Sequence, residues 1–355
     1  MKKRSWFLQS CVVFGLLVTV GQAHAEDEEE RVLEVGKWYP TLEGGINLTQ
    51  SAYSDNWNGG DKGSIVWTAI VNGSLENQLS PKVNSASTLK LAYGQTHQQK
   101  QTTDGNRFWD RPEKSTDLID LESVLRLTLG LVVDPFFSAR FESQFQDASD
   151  PNGRTLSLNP MKFQETAGIA RKFIDEEDRQ LLSRVGFSFR QHLRKQFVES
   201  PTSAPNPPAT DTATNTEFTN DGGLEFVTEY STKVLQDRVT WNSKFRLFQT
   251  IFYSAQNDFD SVTADQWRAL GVDPDVVDFN KAPDVDFENI FTTQITKIIS
   301  VNLYLRWLYD KYDNSVVPTF NDDGELKNVG DIRTATRLGG QFKQTLSIGL
   351  TYRFL

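Results

Sequence analysis

The chain has 355 residues, a formal net charge of −10, 38% hydrophobic and 12% aromatic residues, and a single cysteine. The acidic balance lacks the basic footprint that nucleic acid demands of a partner. With Cys11 as the only cysteine, neither an internal disulfide nor a thiolate metal centre can form, and no cofactor or metal site is expected.

A soluble two-domain protein is the default at this length. The modest apolar content, the many aromatics and the lack of a sustained helical apolar period fit a barrel better, because each of its strands needs only one apolar face. From the N-terminus, Lys2, Lys3 and Arg4 form a positive n-region. An apolar run follows from Trp6 to Val20, and Ala23-His24-Ala25 supplies a small-x-small cleavage pattern. Residues 1–25 are therefore expected to be a cleaved signal peptide, and the run is too short to cross a bilayer as a helix. Residues 26–37 read as an acidic periplasmic lead-in and 38–355 as the barrel. Cys11 lies within the apolar run, not after it, which argues against a lipid-modified cysteine.

Alternation of apolar and polar residues then recurs along the chain, as half-exposed strands require. Weaker cases begin near Leu42, Ile65 and Val83. Leu121, Leu125, Leu127 and Leu129 oppose Asp120, Glu122 and Arg126. Phe137, Ala139, Phe141 and Phe145 oppose Arg140, Glu142 and Gln144. A strand near Phe163 is the least regular, because Glu165 shares its lipid face, a cost that only an interfacial position, a bulge or another register would relieve. Weaker cases follow near Leu181 and Leu224. Val239, Trp241, Phe245 and Leu247 oppose Lys244 and Arg246. A weak case near Phe287 precedes Val301, Leu303, Leu305 and Trp307, which oppose Asn302, Tyr304 and Arg306. Leu346, Ile348, Leu350, Tyr352 and Phe354 form the last apolar face. The expectation is an all-β fold, a transmembrane antiparallel β-barrel of about twelve strands.

The connections alternate in length. Short links near 80–81, 133–135, 175–178, 233–237 and 298–300 separate long ones near 52–62, 97–116, 147–161, 194–221, 253–285 and 311–340. Short periplasmic turns and long extracellular loops sort in this way in bacterial barrels, with both termini in the periplasm. Residues 200–216, rich in Pro, Thr, Ala and Asn, read as flexible surface. Thr263 to Gln266 resembles a capping box ahead of a two-turn helix that Gly271 stops, packed on the barrel rim. The aspartates of residues 254–286, among them Asp258, Asp260, Asp273, Asp275 and Asp278, read as a solvated acidic loop.

Three resemblances follow. Ser347 to Phe354 resembles the C-terminal signal read by the barrel assembly machinery, with Gly349, Leu350, Tyr352 and Phe354 at the matching places and Leu355 as a departure. Asn56, Trp57, Gly59 and Gly60 resemble the first hairpin of an uncharacterised outer-membrane barrel family, a domain-of-unknown-function group. That resemblance implies a barrel and brings no activity with it. Gly94 to Gln99 is similar to the G-x-x-H-x-S signature of outer-membrane phospholipases, but Gln99 stands where the serine nucleophile would be. Without it His97 has nothing to activate, so an enzyme is not expected.

The polar faces lean basic. Arg126, Arg140, Arg190, Lys244, Arg246 and Arg306 are expected to face the lumen with Asp120, Glu122, Glu142, Glu225 and Glu229. Lys90, Arg184 and Arg353 belong to the same faces, and so does His192 beside Arg190. The leading expectation is a small passive pore in the bacterial outer membrane, with mild anion preference. The alternative is a non-conducting structural or interaction barrel plugged by internal ion pairs. Expected partners are outer-membrane lipid and lipopolysaccharide, the barrel assembly machinery and an unidentified protein.

Overall fold

The computed structural model describes residues 33–51, 63–104, 106–150, 152–176, 178–197, 213–337 and 339–354. Among these, twelve long strands build the fold. They are β1 (Trp38–Ser51), β2 (Ser64–Ser80), β3 (Val83–Gln101), β4 (Glu113–Leu127), β5 (Asp134–Ser143) and β6 (Met161–Glu176) in the first half. The second half holds β7 (Arg179–Phe197), β8 (Thr214–Val234), β9 (Val239–Tyr253), β10 (Asp284–Gln294), β11 (Ile299–Tyr309) and β12 (Gln341–Arg353). Each strand pairs antiparallel with its neighbour in the chain. The ring shuts where β12 pairs with β1, from Glu43 opposite Arg353 to Asn47 opposite Gly349. Closure gives each of the twelve strands two paired neighbours, which is the condition for a β-structure to stand in lipid.

The two ends of the barrel differ. Residues 81–82, 128–133, 177–178, 235–238 and 295–298 make the short-turn end, and six longer connections make the other. The strand pattern read through Leu129 stops earlier, at Leu127. Gly130 adopts φ +73° there, which turns the chain and leaves Leu129, Leu131 and Val132 exposed in the turn.

Alternation sorts the wall. Ile46, Leu121, Phe187, Leu224, Leu346 and Ile348 are exposed on the outside, while Arg184, Ser188 and Glu225 are buried inside. An apolar outer wall around a polar interior is the transmembrane barrel form. Polar groups on the outer wall are tied up locally, as where the Trp241 indole N–H donates to Asn289 at 3.0 Å. Glu165 does face outward. Its neighbours Gln164 and Thr166 both donate inward to Glu225, and the register shift in β6 lies further down, opposite Leu181 and Leu182. Glu165 is four residues from the long-loop end of β6, where a charge is tolerated near the membrane edge.

A bulge in β9 links the wall to the loops. Gly222 pairs with Phe252 but Gly223 pairs with Thr250, so Ile251 is the extra residue. Ile251 and Phe252 are both exposed, and Tyr253 turns inward and is buried. Only glycine fits at 223, because a Cβ there would sit 1.9 Å from the Gln249 carbonyl oxygen.

Tyr253 joins the apolar core at the long-loop end. Connection 254–283 supplies α1 (Gln256–Asp260), α2 (Ala264–Ala269) and the 3-10 turn Pro274–Lys281, and connection 310–340 supplies α3 (Val329–Ala335). Thr263 and Gln266 form a reciprocal capping box at α2. Phe259, Trp267 and Ile332 are each 0% exposed. They pack with Val276, Tyr312 and Val316 into one cluster. The aspartates of this region serve local geometry: Asp273 caps the 3-10 turn by accepting from the Asp275 N–H, and Asp278 pairs with Lys281.

Candidate functional site

The lumen is the site. Its mid-section is a belt of charge in which Glu122 on β4 takes Arg184 at 2.9 Å, Lys244 at 3.0 Å and Arg246 at 3.6 Å. Glu229 meets Lys244 at 2.8 Å and Arg184 at 3.5 Å. Glu225 meets Arg246 at 3.3 Å. Arg140 holds Asp120 at 2.7 and 2.9 Å and Glu142 at 2.7 Å, and Arg306 holds Asp286 through two hydrogen bonds.

Three pairs cross the lumen, Arg246–Glu122 among them. Lys244 on β9 reaches Glu122 five strands round a ring of twelve, and Lys90 on β3 reaches Glu288 on β10 at 3.2 Å over the same interval. Opposite walls therefore stand within the combined reach of one lysine and one carboxylate side chain.

Above the belt is a cavity of about 240 Å³. Its cationic lining is Arg140, Lys162, Arg190, Arg246, Arg306 and Arg337, against the carboxylates Glu142, Asp284, Asp286 and Asp310. A second cavity of about 80 Å³ shares Arg140, Arg246 and Arg306 with it. Arg190 spans β8 and β10, bonding Asp221 at 2.5 and 3.0 Å and Asp284 at 2.7 Å. It also lies 3.6 Å from the centre of the Phe248 ring. His192 is buried beside it, with Nε2 3.1 Å from Asp221.

A strap, residues 310–316, crosses the barrel mouth beside this cavity and lines it through Asp310. It leaves β11 at Tyr309 and carries Asp313 to within 3.9 Å of Lys162 on β6, almost across the barrel. The Asn314 carbonyl accepts from Thr219 at 2.7 Å and from the Tyr253 hydroxyl at 2.9 Å. The Asn314 side chain donates to Asp221 at 2.7 Å. Arg337 ties down the return arm through Asp310 at 2.6 Å and Asp313 at 3.8 Å. Burial pushes the Asp313 carboxyl upward, but Lys162, the Ser315 hydrogen bonds and Arg337 outweigh it and hold the group well below the usual carboxylate range. Asp310 moves the other way, raised by burial that Arg337 only partly offsets.

Arg126, Arg140, Arg190, Lys244, Arg246 and Arg306 all stand on the inner face, as do Asp120, Glu122, Glu142, Glu225 and Glu229. Arg126 is the outlier, near the short-turn end with Asp134 at 4.0 Å. At the closure, Gly349 lies opposite Asn47 and Leu350 opposite Ile46, while Tyr352 faces Gly44 across the seam. The Phe354 N–H bonds the Leu42 carbonyl, and its ring meets Tyr352 edge-on at 4.9 Å. Asn56, Trp57, Gly59 and Gly60 lie outside the described residues. His97 packs its ring 5.1 Å from that of Trp109. Sequence reasoning missed Asp284, Asp286 and Glu288, whose alternation along β10 was a readable signal. It also missed Lys162, Asp221, Asp310, Asp313 and Arg337. The strap has no period, so nothing local marks its members.

Residues 48–148 match the model of a protein family of unknown function, DUF3078. No curated protein matches the chain in sequence. Among solved structures, the COG4313 outer membrane channel from Pseudomonas putida F1 aligns at 10% identity and a TM-score of 0.37, over 93% of this chain and 99% of that one. The translocator domain of the autotransporter NalP from Neisseria meningitidis aligns at 9% identity and 0.34, over 92% and 90%. The NanC porin aligns at 8% identity and 0.30, over 88% and 98%. The barrel form of this chain follows from its own closed strand order.

Proposed function

We propose that the protein sits in the bacterial outer membrane and passes small solutes through its lumen, with a preference for anions. The observation that carries this reading is the basic lining of the 240 Å³ cavity, where six cationic side chains face four carboxylates. Fixed arginine and lysine groups in a narrow passage favour anions, and a low-dielectric wall strengthens their field. The signal-like N-terminus and the sorting of short and long connections support the membrane assignment. The acidic chain as a whole suits cation-bridged lipopolysaccharide at its outer end.

A second reading is a non-conducting barrel. The cross-lumen pairs Lys244–Glu122 and Lys90–Glu288 favour it, and so does the strap. One measurement separates the two. The purified protein is inserted into a planar bilayer and its reversal potential is read in a salt gradient. Anion-selective steps that weaken in Arg140→Ser and Arg246→Ser support the passage. Cation selectivity, or silence throughout, removes it. In that case the same substitutions should lower heat stability without affecting current.

A further inference from the structure

The cations around the upper cavity are not equally engaged. Arg140, Arg190 and Arg306 each give two or three hydrogen bonds to carboxylates. Lys162 and Arg246 give none among the described residues. Arg246 sits 3.3 Å from Glu225 and 3.6 Å from Glu122 without hydrogen-bond geometry. Lys162 has Asp313 at 3.9 Å, with Glu142 opposite it on β5 and Asp310 near by, and donates a hydrogen bond to none of them. Asp313 is placed like a bound carboxylate that is held just out of reach. Its own backbone and Ser315, which donates to it at 2.8 and 3.1 Å, fix it 3.9 Å from Lys162 and 3.8 Å from Arg337. A free oxyanion in the cavity is not so tethered, and could close to hydrogen-bond distance of these donors, where charge-assisted bonds are strongest.

We propose that the cavity beside the strap is a binding site for a small oxyanionic solute, one bearing a carboxylate or a phosphate, with Lys162 and Arg246 as its cationic contacts and Asp313 as the tethered carboxylate it displaces. This names the solute class of the proposed passage and rests on that reading, but equilibrium binding is measured without any current. Lysine supplies a compact charge near the strap, and arginine supplies a planar fork deeper in the wall. The strap is then both a neighbour of the site, through Asp310, and its internal competitor, through Asp313.

The test uses the whole folded protein in detergent micelles. Thermal unfolding is followed by heat-dependent gel migration while sodium succinate or sodium phosphate is titrated in, with sodium chloride holding ionic strength constant. A ligand bound only by the folded state raises the midpoint in a saturable way. Saturation with succinate identifies the carboxylate class and saturation with phosphate the phosphate class; either supports the site. Lys162→Gln should weaken the apparent affinity about tenfold, the size of one lost charge-assisted hydrogen bond. Asp313→Asn should tighten it several-fold, an effect that a merely structural strap would not produce. Arg246→Gln repeats the loss if that variant folds, and the two mouth variants suffice if it does not. A response equal to that of chloride, or an Asp313→Asn variant that binds no tighter, overturns the proposal. Saturable binding in a protein that carries no current would sink the passage and keep the site. Current without saturable binding would do the reverse.

Discussion

Glu122 answers three cations, and their other partners differ. Lys244 and Arg184 keep Glu229, and Arg246 keeps Glu225, if Glu122 is neutralised. Removing one member of a buried ionic cluster costs about 3–5 kcal/mol, because the charges left behind have already lost their water. The remaining carboxylates place Glu122→Gln at the low end, roughly 3 kcal/mol. A fall in the urea midpoint of the barrel in lipid vesicles checks this. An unchanged midpoint would mean that lumen water, not Glu122, balances the belt. Alternation alone places Glu122, Lys244 and Arg246 on one face of their strands. It is silent on Lys244 meeting Glu122, because that pairing depends on how far the walls stand apart, a property of the closed ring. Asp313 was illegible for another reason. It belongs to no repeating pattern, and its ionisation is set by a lysine some 150 positions earlier in the chain. Because its folded-state pKa is depressed, its contribution to stability is present above the ordinary carboxylate range. That contribution is lost only as pH falls through the lowered value, so mild acid leaves the Asp313 pairing in place, while Asp310, raised by burial, takes up its proton first.

At the scale of elements, β12 is the strand that shuts the ring. It carries the ladder to β11 along its length and the seam to β1 between Gly349 and Arg353. Deleting Tyr352–Leu355 removes the Tyr352–Gly44 pair and the Phe354 bond to Leu42, and should block assembly. Absence of the heat-modifiable folded band on a gel is the expected outcome, and normal yield of that band would refute it. The twelve strands were legible because a two-residue period persists over many residues and each face has a different solvent. Even the irregular strand read correctly at Glu165, since its register holds to the membrane edge. The β9 bulge was not legible, because Ile251 and Phe252 are both apolar and break the period without a polar marker. The small helices were only half legible. Thr263 and Gln266 announce α2 through their capping chemistry. Nothing in that stretch announces that Trp267 packs with Ile332, far along the chain in a different connection.

The whole molecule has a polarity that one label can test. The long connections share an end; of the loop read at 200–216, Thr214 to Thr216 belong to β8, and residues 200–212, outside the described residues, fall in the link between β7 and β8. An epitope inserted there should bind antibody on intact cells, and labelling only after the outer membrane is broken would invert the barrel. The strap adds a tie across the ring. Its anchoring points, Lys162, Thr219, Asp221 and Tyr253, lie on β6, β8 and β9, yet its own ends run into β11 and β12, the last hairpin of the ring. All four anchors lie on strands outside the hairpin that carries the strap. The strap therefore ties that hairpin to the far wall through side-chain contacts that run apart from the backbone ladders. Peeling β11 and β12 from the ring would have to break these contacts as well as the ladders to β10 and β1, so the strap doubles as a clasp on the hairpin that closes the wall.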